Sequence, residues 1–269
     1  MTEDGPRTEA ETPALASLAP AAEANDAMEI HKPKPVHNWR EFLAEILVIV
    51  TGVLIALTAE QIVEALHWRH KVEQAEAAIR IELRDDDAPQ AFARAAASNC
   101  YAAQLDRIQT AVETKADRRE VAALAAAYAP PARSWDEEAW KAAVASDVGT
   151  HTPADHMILW SLPYRLIPAL NDTNSHEAHA HAELGPLRRA PGRLSSGEAD
   201  RMLAAIQSLR SDNQLMTTLS LVFLVGAKRN DAWPSASQRG RVLDDLRARD
   251  GDCVVTPSIA GVDPTSQVR

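Results

Sequence analysis

Cysteine, glycine and aromatic residues are scarce in this chain of 269 residues. Two cysteines are too few for a disulfide-dense scaffold, and ten glycines are too few for a collagen-like repeat. Aromatic residues make up 4% of the chain, which disfavours a broad aromatic core. An excess of cationic side chains is also missing, since 28 Lys and Arg face 38 Asp and Glu. A dedicated nucleic-acid binder needs a basic surface, so nucleic acid is not predicted as a partner.

The motifs of common enzyme classes are absent as well. The chain contains no glycine-rich phosphate loop, no G-x-S-x-G, no C-x-x-C and no dinucleotide fingerprint. We therefore predict no catalytic residue, no cofactor-binding residue and no cofactor.

Alanine accounts for much of the 46% hydrophobic content, especially before residue 146. Alanine is the best helix former and brings little core volume, so long helices packed through small side chains are expected. Sustained alternation of apolar and polar residues would indicate strands, and no stretch of the chain shows it. The sequence predicts an all-α fold with one transmembrane helix continuing into a bundle of four to six helices.

Composition divides the chain into four regions. Residues 1–38 are rich in Ala, Pro, Glu and Thr and lack aromatic residues, which predicts a disordered acidic tail. Residues 39–85 carry a transmembrane and juxtamembrane helix, and residues 86–232 carry the helical bundle. Residues 233–269 are predicted to be mostly irregular, with a helix only at about 237–249.

The longest apolar run, Ile46–Ala59, contains no charged residue. A helix over Phe42–Val63 is about 33 Å long, enough for a hydrocarbon core of about 30 Å, whereas the run alone spans only about 21 Å. Trp39 and Trp68 flank it at the spacing expected of membrane-interface anchors. A transmembrane helix is the prediction; the alternative is the core helix of a soluble protein.

Helix boundaries are predicted from local signals. The run Asp85–Asp87 followed by Pro89 indicates that one helix stops and another begins. Ser134 with Glu137 and Ser195 with Glu198 have the spacing of capping boxes, and Thr152 before Pro153 is typical of a helix start. A second apolar run, Leu215–Ala227, is too short to span a membrane and predicts a buried bundle helix.

The segment from Trp39 to about residue 85 resembles the N-terminal signature of an uncharacterised family of bacterial single-span membrane proteins. The matching positions are Gly52–Leu57 (GVLIAL) and Trp68-Arg69, with a fainter echo in the helix around Trp140 and in Trp160–Arg165 (WSLPYR). The resemblance implies a bacterial envelope protein of unknown role and assigns no catalytic residue.

Membrane orientation is not decided by charge, because three basic residues lie on each side of the span within about 20 residues. A short polar N-terminus and a larger C-terminal part favour a signal-anchor in the bacterial inner membrane with a periplasmic C-terminal domain. In an oxidising periplasm Cys100 and Cys253 would form a disulfide that ties the tail to the bundle. In the cytoplasm both would stay reduced.

One face of the span collects small and acidic residues: Glu45, Gly52, Ala56, Ala59 and Glu60. Gly52 and Ala56 form a small-xxx-small pair, which lets two helices approach closely in lipid. We predict that this face mediates self-association or binds another membrane protein, with the lipid bilayer as the second partner. The alternatives are that both glutamates simply reach the membrane boundaries, or that the face lines a proton path.

Histidines are concentrated in NSHEAHAHAE, where His176, His179 and Glu183 share one face of a helix. Imidazole and carboxylate ligands at this spacing suit zinc or another divalent metal, although solvated side chains are the simpler interpretation. Our first hypothesis is a non-enzymatic envelope protein for sensing, scaffolding or protein interaction. The alternative is a membrane-tethered metal-dependent enzyme that uses these three residues.

Overall fold

The computed structural model describes residues 38–130, 133–185 and 191–260, so the predicted N-terminal tail lies outside the described residues apart from Asn38. Within those ranges the chain forms α-helices and no strand, which confirms the all-α prediction. The helices are α1 Trp39–Ile81, α2 Ala88–Glu113, α3 Arg118–Ala127, α4 Glu138–Ala145, α5 Val148–His151, α6 Ala154–Tyr164, α7 Ile167–Leu184, α8 Ser196–Arg229 and α9 Ala236–Asp250. A π-helix, Glu82–Asp87, joins α1 to α2, and a 3₁₀ turn, Gly251–Cys253, follows α9.

The predicted interruption at Asp85–Asp87 is wrong, because one helical segment runs without a break from Trp39 to Glu113. The three aspartates lie in the π-helix, where the N–H of Ala88 donates to the carbonyl of Leu83, five residues back. Asp87 keeps right-handed helical backbone angles and makes no side-chain cap. The wider turn therefore carries the helix past Pro89, which lacks an N–H.

The chain divides into two units, Met1–Leu57 and Thr58–Arg269. In the first unit, the described residues after Asn38 belong to α1 and are exposed. The second unit contains the helical bundle, in which α8 packs against α2, α6 and α7, and α9 packs against α2.

Alanine provides the close packing that the composition predicts. Along α2, Ala88, Ala91, Ala96 and Ala97 are completely buried. Small side chains leave the α2 backbone close to its neighbours, and larger residues fill the space around it, including Phe92, Tyr101, Leu105 and Ile108.

The second apolar run lies inside α8, where Phe223 and Leu224 are completely buried, as the bundle-helix interpretation predicts. At the other end of α8, Ser195 and Glu198 form the expected capping box. The predicted capping box at Ser134 and Glu137 is wrong: α4 begins at Glu138 and has no side-chain cap. In the first turn of α4, the N–H of Ala139 donates to the carboxylate of Glu82 at 2.8 Å.

The predicted helix start at Thr152 is displaced by one residue, since Pro153 is the N-cap of α6. Thr152 ends α5 instead, where its hydroxyl donates to the carbonyl of Val148 at 2.8 Å. The C-terminal helix agrees with expectation, because α9 covers the region predicted at 237–249 and begins at a capping box of Ser235 and Gln238.

Candidate functional site

α1 contains an apolar segment long enough to cross a membrane, and none of the residues in its most hydrophobic window is buried by the rest of the protein. Among the described residues no other helix meets the same criteria of length and composition. Large apolar side chains are presented outward along this segment, for example Leu47, Val48 and Ile49, each more than 60% exposed. Such a surface is stable only when lipid or protein covers it.

The five residues of the predicted association face, Glu45, Gly52, Ala56, Ala59 and Glu60, all lie on α1 and are exposed. A Cβ atom built onto Gly52 would meet no heavy atom within 4 Å. The glycine is therefore not required by packing within the chain, and the surface beside it is open.

The two tryptophans proposed as interface anchors differ in their surroundings. Trp39 is 72% exposed and touches only the ring of Phe42 among the described aromatic contacts, at 6.3 Å between centroids. Trp68 is half-buried, because its ring stacks on His151 with centroids 3.9 Å apart. The ammonium of Lys71 lies over the same ring, 4.8 Å from its centroid.

The candidate metal residues line one open groove of about 700 Å³ between α7 and α8. His176, His179 and Glu183 lie on its α7 side, Arg201 lies on its α8 side, and its floor includes Ala180 and Ala205. Across residues 38–130, 133–185 and 191–260 no group of three or more His, Cys, Asp or Glu side chains is arranged to hold a metal ion. The three residues thus share a surface without forming a ligand set, and the metal site stays a prediction.

A buried polar network lies next to this groove, on the inner side of α7. Arg94 Nη2 donates to Glu177 Oε1 at 2.6 Å and to Asn213 Oδ1 at 3.1 Å, and the guanidinium lies over the ring of Tyr101. The side chains of Arg94 and Glu177 are 1% and 4% exposed. Asn213 Nδ2 donates to the carbonyl of Ser98, which completes a connection among α2, α7 and α8.

Burial affects the proton equilibria of the neighbouring groups. It raises the pKa of Tyr128, and the charge of Glu177 adds to the increase. Burial also lowers the pKa of Arg133 and raises that of Asp212, although the nearby His176 opposes the latter shift. These groups surround an ion pair in the core, so their main effect is on stability.

Cys100 and Cys253 are joined by a disulfide, with their Cα atoms 5.0 Å apart. Beside it, the N–H of Val255 donates to the carbonyl of Ala96 at 3.0 Å. The bond links the segment after α9 to the middle of α2, across a sequence separation of 153 residues.

A second buried polar site lies at the π-helix. Glu82 accepts hydrogen bonds from the hydroxyl of Tyr164 at 2.7 Å and from the N–H of Ala139. Asp87 is completely buried and accepts from the N–H of Asp136 at 3.1 Å. Burial raises the pKa of Tyr164, and its hydrogen bond to Glu82 acts in the same direction.

Neither polar site is predicted by sequence reasoning. Arg94 did carry a signal, because it is the single charge within the small-residue run AFARAAAS. Its partners are 83 and 119 residues away, and no local spacing identifies them. The sequence predicts that Asp87, with Asp85 and Asp86, caps the helix that begins near Pro89, which does not indicate a buried carboxyl.

No family model matches this chain, and no curated protein or solved structure is similar enough to be matched with it. The resemblance of the N-terminal segment to a bacterial single-span family accordingly stays a prediction.

Proposed function

We propose that the protein is a single-pass protein of the bacterial inner membrane whose helical bundle lies on the periplasmic side and acts in sensing, scaffolding or protein interaction. The observation that carries the proposal is the exposed apolar segment of α1. In water, each large aliphatic side chain left uncovered costs about 1.5–3 kcal/mol relative to burial. A bilayer covers all of them at once.

The orientation is supported by the pairing of the two cysteines. Disulfides form and persist in oxidising compartments and are rare in the cytosol. Cys100 and Cys253 are the only cysteines of the chain, and both belong to the same bond. A periplasmic bundle preceded by a signal-anchor helix is consistent with this chemistry.

In this proposal the protein contacts its partner through one face of the transmembrane helix. Gly52 and Ala56 have the spacing that allows close helix packing in lipid, and the same side of α1 carries Glu45 and Glu60. Ionisable groups are costly when they face lipid, so this side is the one to place against a second copy or another membrane subunit.

Membrane integration and orientation are tested on the full chain in a bacterial host. The chain should stay in carbonate-washed membranes, and a periplasm-active reporter fused after residue 269 should be active. In spheroplasts a membrane-impermeant maleimide should label Cys253, the half-buried partner of the buried Cys100, only after reduction. Extraction by carbonate would contradict the span, and activity of only a cytoplasm-active reporter would contradict the orientation.

Association is tested by cysteine crosslinking in membranes. The Gly52→Cys variant should give a dimer or a partner adduct, whereas Val50→Cys, about 160° around the helix, should give much less. Equal crosslinking at both positions, or at neither, would contradict a defined association face. The paired Cys100 and Cys253 do not compete for the crosslinker while they remain oxidised.

The second candidate function is a metal-dependent enzyme, favoured by the single groove that His176, His179 and Glu183 share. The full-length protein would then retain a stoichiometric divalent metal after purification, and His179→Ala would lose it. A metal-free protein whose stability does not change on addition of zinc would contradict this candidate.

A further inference from the structure

The carboxyl group of Asp87 is unusual in its surroundings. Its side chain is completely buried, and Oδ1 accepts a hydrogen bond from the N–H of Asp136. No described residue donates to Oδ2, which is also buried. Leu83, one helical turn before Asp87, and Ala88, directly after it, belong to a hydrophobic cluster that includes Trp135 and Phe223. A negative charge at this position has one hydrogen bond and little solvent to stabilise it.

The same π-helix carries a second carboxylate that binds the same part of the chain. Glu82 accepts from the N–H of Ala139, and Asp87 accepts from the N–H of Asp136. Together they hold the segment 135–139, which leads into α4. The hydroxyl of Tyr164 in α6 binds the other oxygen of Glu82, so this carboxylate is fixed from two sides.

The charges around Asp87 are predominantly negative. Glu82 and Asp86 on the π-helix and Asp136 on the facing segment all disfavour its ionisation. The nearby cations are paired elsewhere: Arg80 with Glu76, Arg84 with Asp85, and Lys141 with Glu137 and Glu138. From the other neighbouring elements, α6 contributes Tyr164, and α9 contributes Gln238, which binds Asp85.

Burial raises the pKa of Asp87 to about 7, and the three neighbouring carboxylates add to this increase. The hydrogen bond from Asp136 acts in the opposite direction without cancelling it. The group therefore changes charge near neutral pH, whereas an ordinary aspartate does so at about pH 4.

We propose that Asp87 is a pH-sensitive contact of the bundle: residues 135–139 stay attached to the π-helix while its carboxyl is neutral, and they open when it ionises, because water then reaches a charge that the closed contact leaves buried with one hydrogen bond. The π-helix is fixed within one long helical segment, with Leu83 and Ala88 in the core. Residues 133–137 have no regular secondary structure, so they are the side that moves.

The direction follows from the raised pKa. The folded state holds the proton more tightly than the unfolded chain, so the contribution of Asp87 is greatest below about pH 4. It decreases as the pH rises from there towards 7 and stays at its minimum at higher pH. Acidification tightens the contact, and a rise in pH towards 7 loosens it.

Release would uncover an apolar surface beside the start of α4. Trp135 is 6% exposed, and its ring lies 5.4 Å from that of Phe223. One residue further along the chain, Asp136 makes the bond to Asp87. Loss of that bond therefore exposes a tryptophan together with the pocket that it occupies.

The test is amide hydrogen exchange of the full-length protein in bilayer nanodiscs between pH 5.5 and 8.5, corrected for intrinsic exchange. Protection of the Asp136 and Ala139 amides should fall by up to about tenfold for each pH unit as the pH rises from 5.5 towards 7. It should level off above a midpoint near 7. Asp87→Asn should abolish this dependence. The matched control Asp85→Asn, on the same π-helix but paired at the surface with Arg84, should retain it.

A second variant keeps the test decisive even if Asp87→Asn does not fold. Asp136→Asn preserves the backbone donor but removes one negative charge, so the midpoint should move to lower pH. An unchanged midpoint in Asp136→Asn, or an undiminished pH dependence in folded Asp87→Asn, would overturn the proposal. So would protection that is constant throughout the range in the unmodified chain.

Discussion

Asn230 donates a hydrogen bond of 2.8 Å from Nδ2 to the carbonyl oxygen of Leu159. Pro163 lies four residues after Leu159 inside α6 and has no N–H, so this carbonyl lacks its ordinary helical donor. Asn230 is the C-cap of α8, and its Nδ2 also donates to the carbonyl of Gly226. The end of one helix thus completes the hydrogen bonding of another.

We expect Asn230→Ala to lower the free energy of unfolding by about 1–3 kcal/mol, because two carbonyls lose a donor. Urea unfolding in a mild detergent measures the loss. The cost should be smaller in a Pro163→Ala background, where residue 163 has an N–H for Leu159. Equal costs in both backgrounds would show that the proline is not the reason for the contact.

Gly226 should not tolerate a side chain, because a Cβ there would lie 3.1 Å from the backbone nitrogen of Pro163 and 3.2 Å from its Cδ. Gly226→Ala is expected to cost about 1–3 kcal/mol by forcing α6 and α8 apart. In Gly240→Ala, the matched control within α9, the new Cβ has no neighbour within 4 Å. There the higher helix propensity of alanine should stabilise by up to about 1 kcal/mol. The midpoint temperatures of thermal unfolding of the two variants should therefore shift in opposite directions.

Removing Arg94 should be among the most destabilising single changes in the bundle. Arg94→Met leaves the buried carboxylate of Glu177 without its cation, at an expected cost of about 3–5 kcal/mol. Arg69→Met breaks an ion pair whose side chains are 77% and 58% exposed, and should cost less than about 1 kcal/mol.

Glu177→Gln in the Arg94→Met background provides a further check. It removes the unpaired charge, so it should recover part of the lost stability. A double variant that is less stable than Arg94→Met alone would contradict this account of the network.

The disulfide should contribute about 2–5 kcal/mol, because it closes a long loop and restricts the unfolded chain. Cys100→Ser and Cys253→Ser should each destabilise the bundle about as much as the double variant, since either change breaks the same bond. Reductant should lower the unfolding midpoint of the unmodified chain and leave the double variant unchanged. A stabilising bond is contradicted if reduction does not alter the midpoint.

Local patterns predicted the helices better than their boundaries. Ser195 caps α8 as expected: its side chain accepts from the N–H of Glu198, and the Glu198 carboxylate accepts from the N–H of Ser195, three residues away along the chain. The same spacing at Ser134 did not form a capping box, because residues 133–137 are not helical and α4 begins only at Glu138. The first turn of α4 receives an acceptor from Glu82, 57 residues away from Ala139.

The candidate site was predictable only in part, because contacts between distant parts of the chain determine much of it. The apolar length of the span follows from composition, and the structure finds the corresponding helix exposed. Two cysteines allow one intramolecular pairing, but their spacing alone does not bring them together. The contacts of Asp87 and Glu177 depend on which helices pack side by side, and periodicity does not specify that.

The π-helix has a geometric consequence for the buried side of the long helical segment. Buried or half-buried apolar positions at Val72, Ala75, Ile79 and Leu83 follow steps of three or four, but the next apolar one, Ala88, comes five residues later. One extra residue therefore shifts the helical phase by about 100°. Deleting a single residue there would rotate the preceding turns by that angle and carry Trp68 away from His151. Residues 82–87 thus set the rotational register of the turns between Thr58 and Ile81, independently of the chemistry of their side chains.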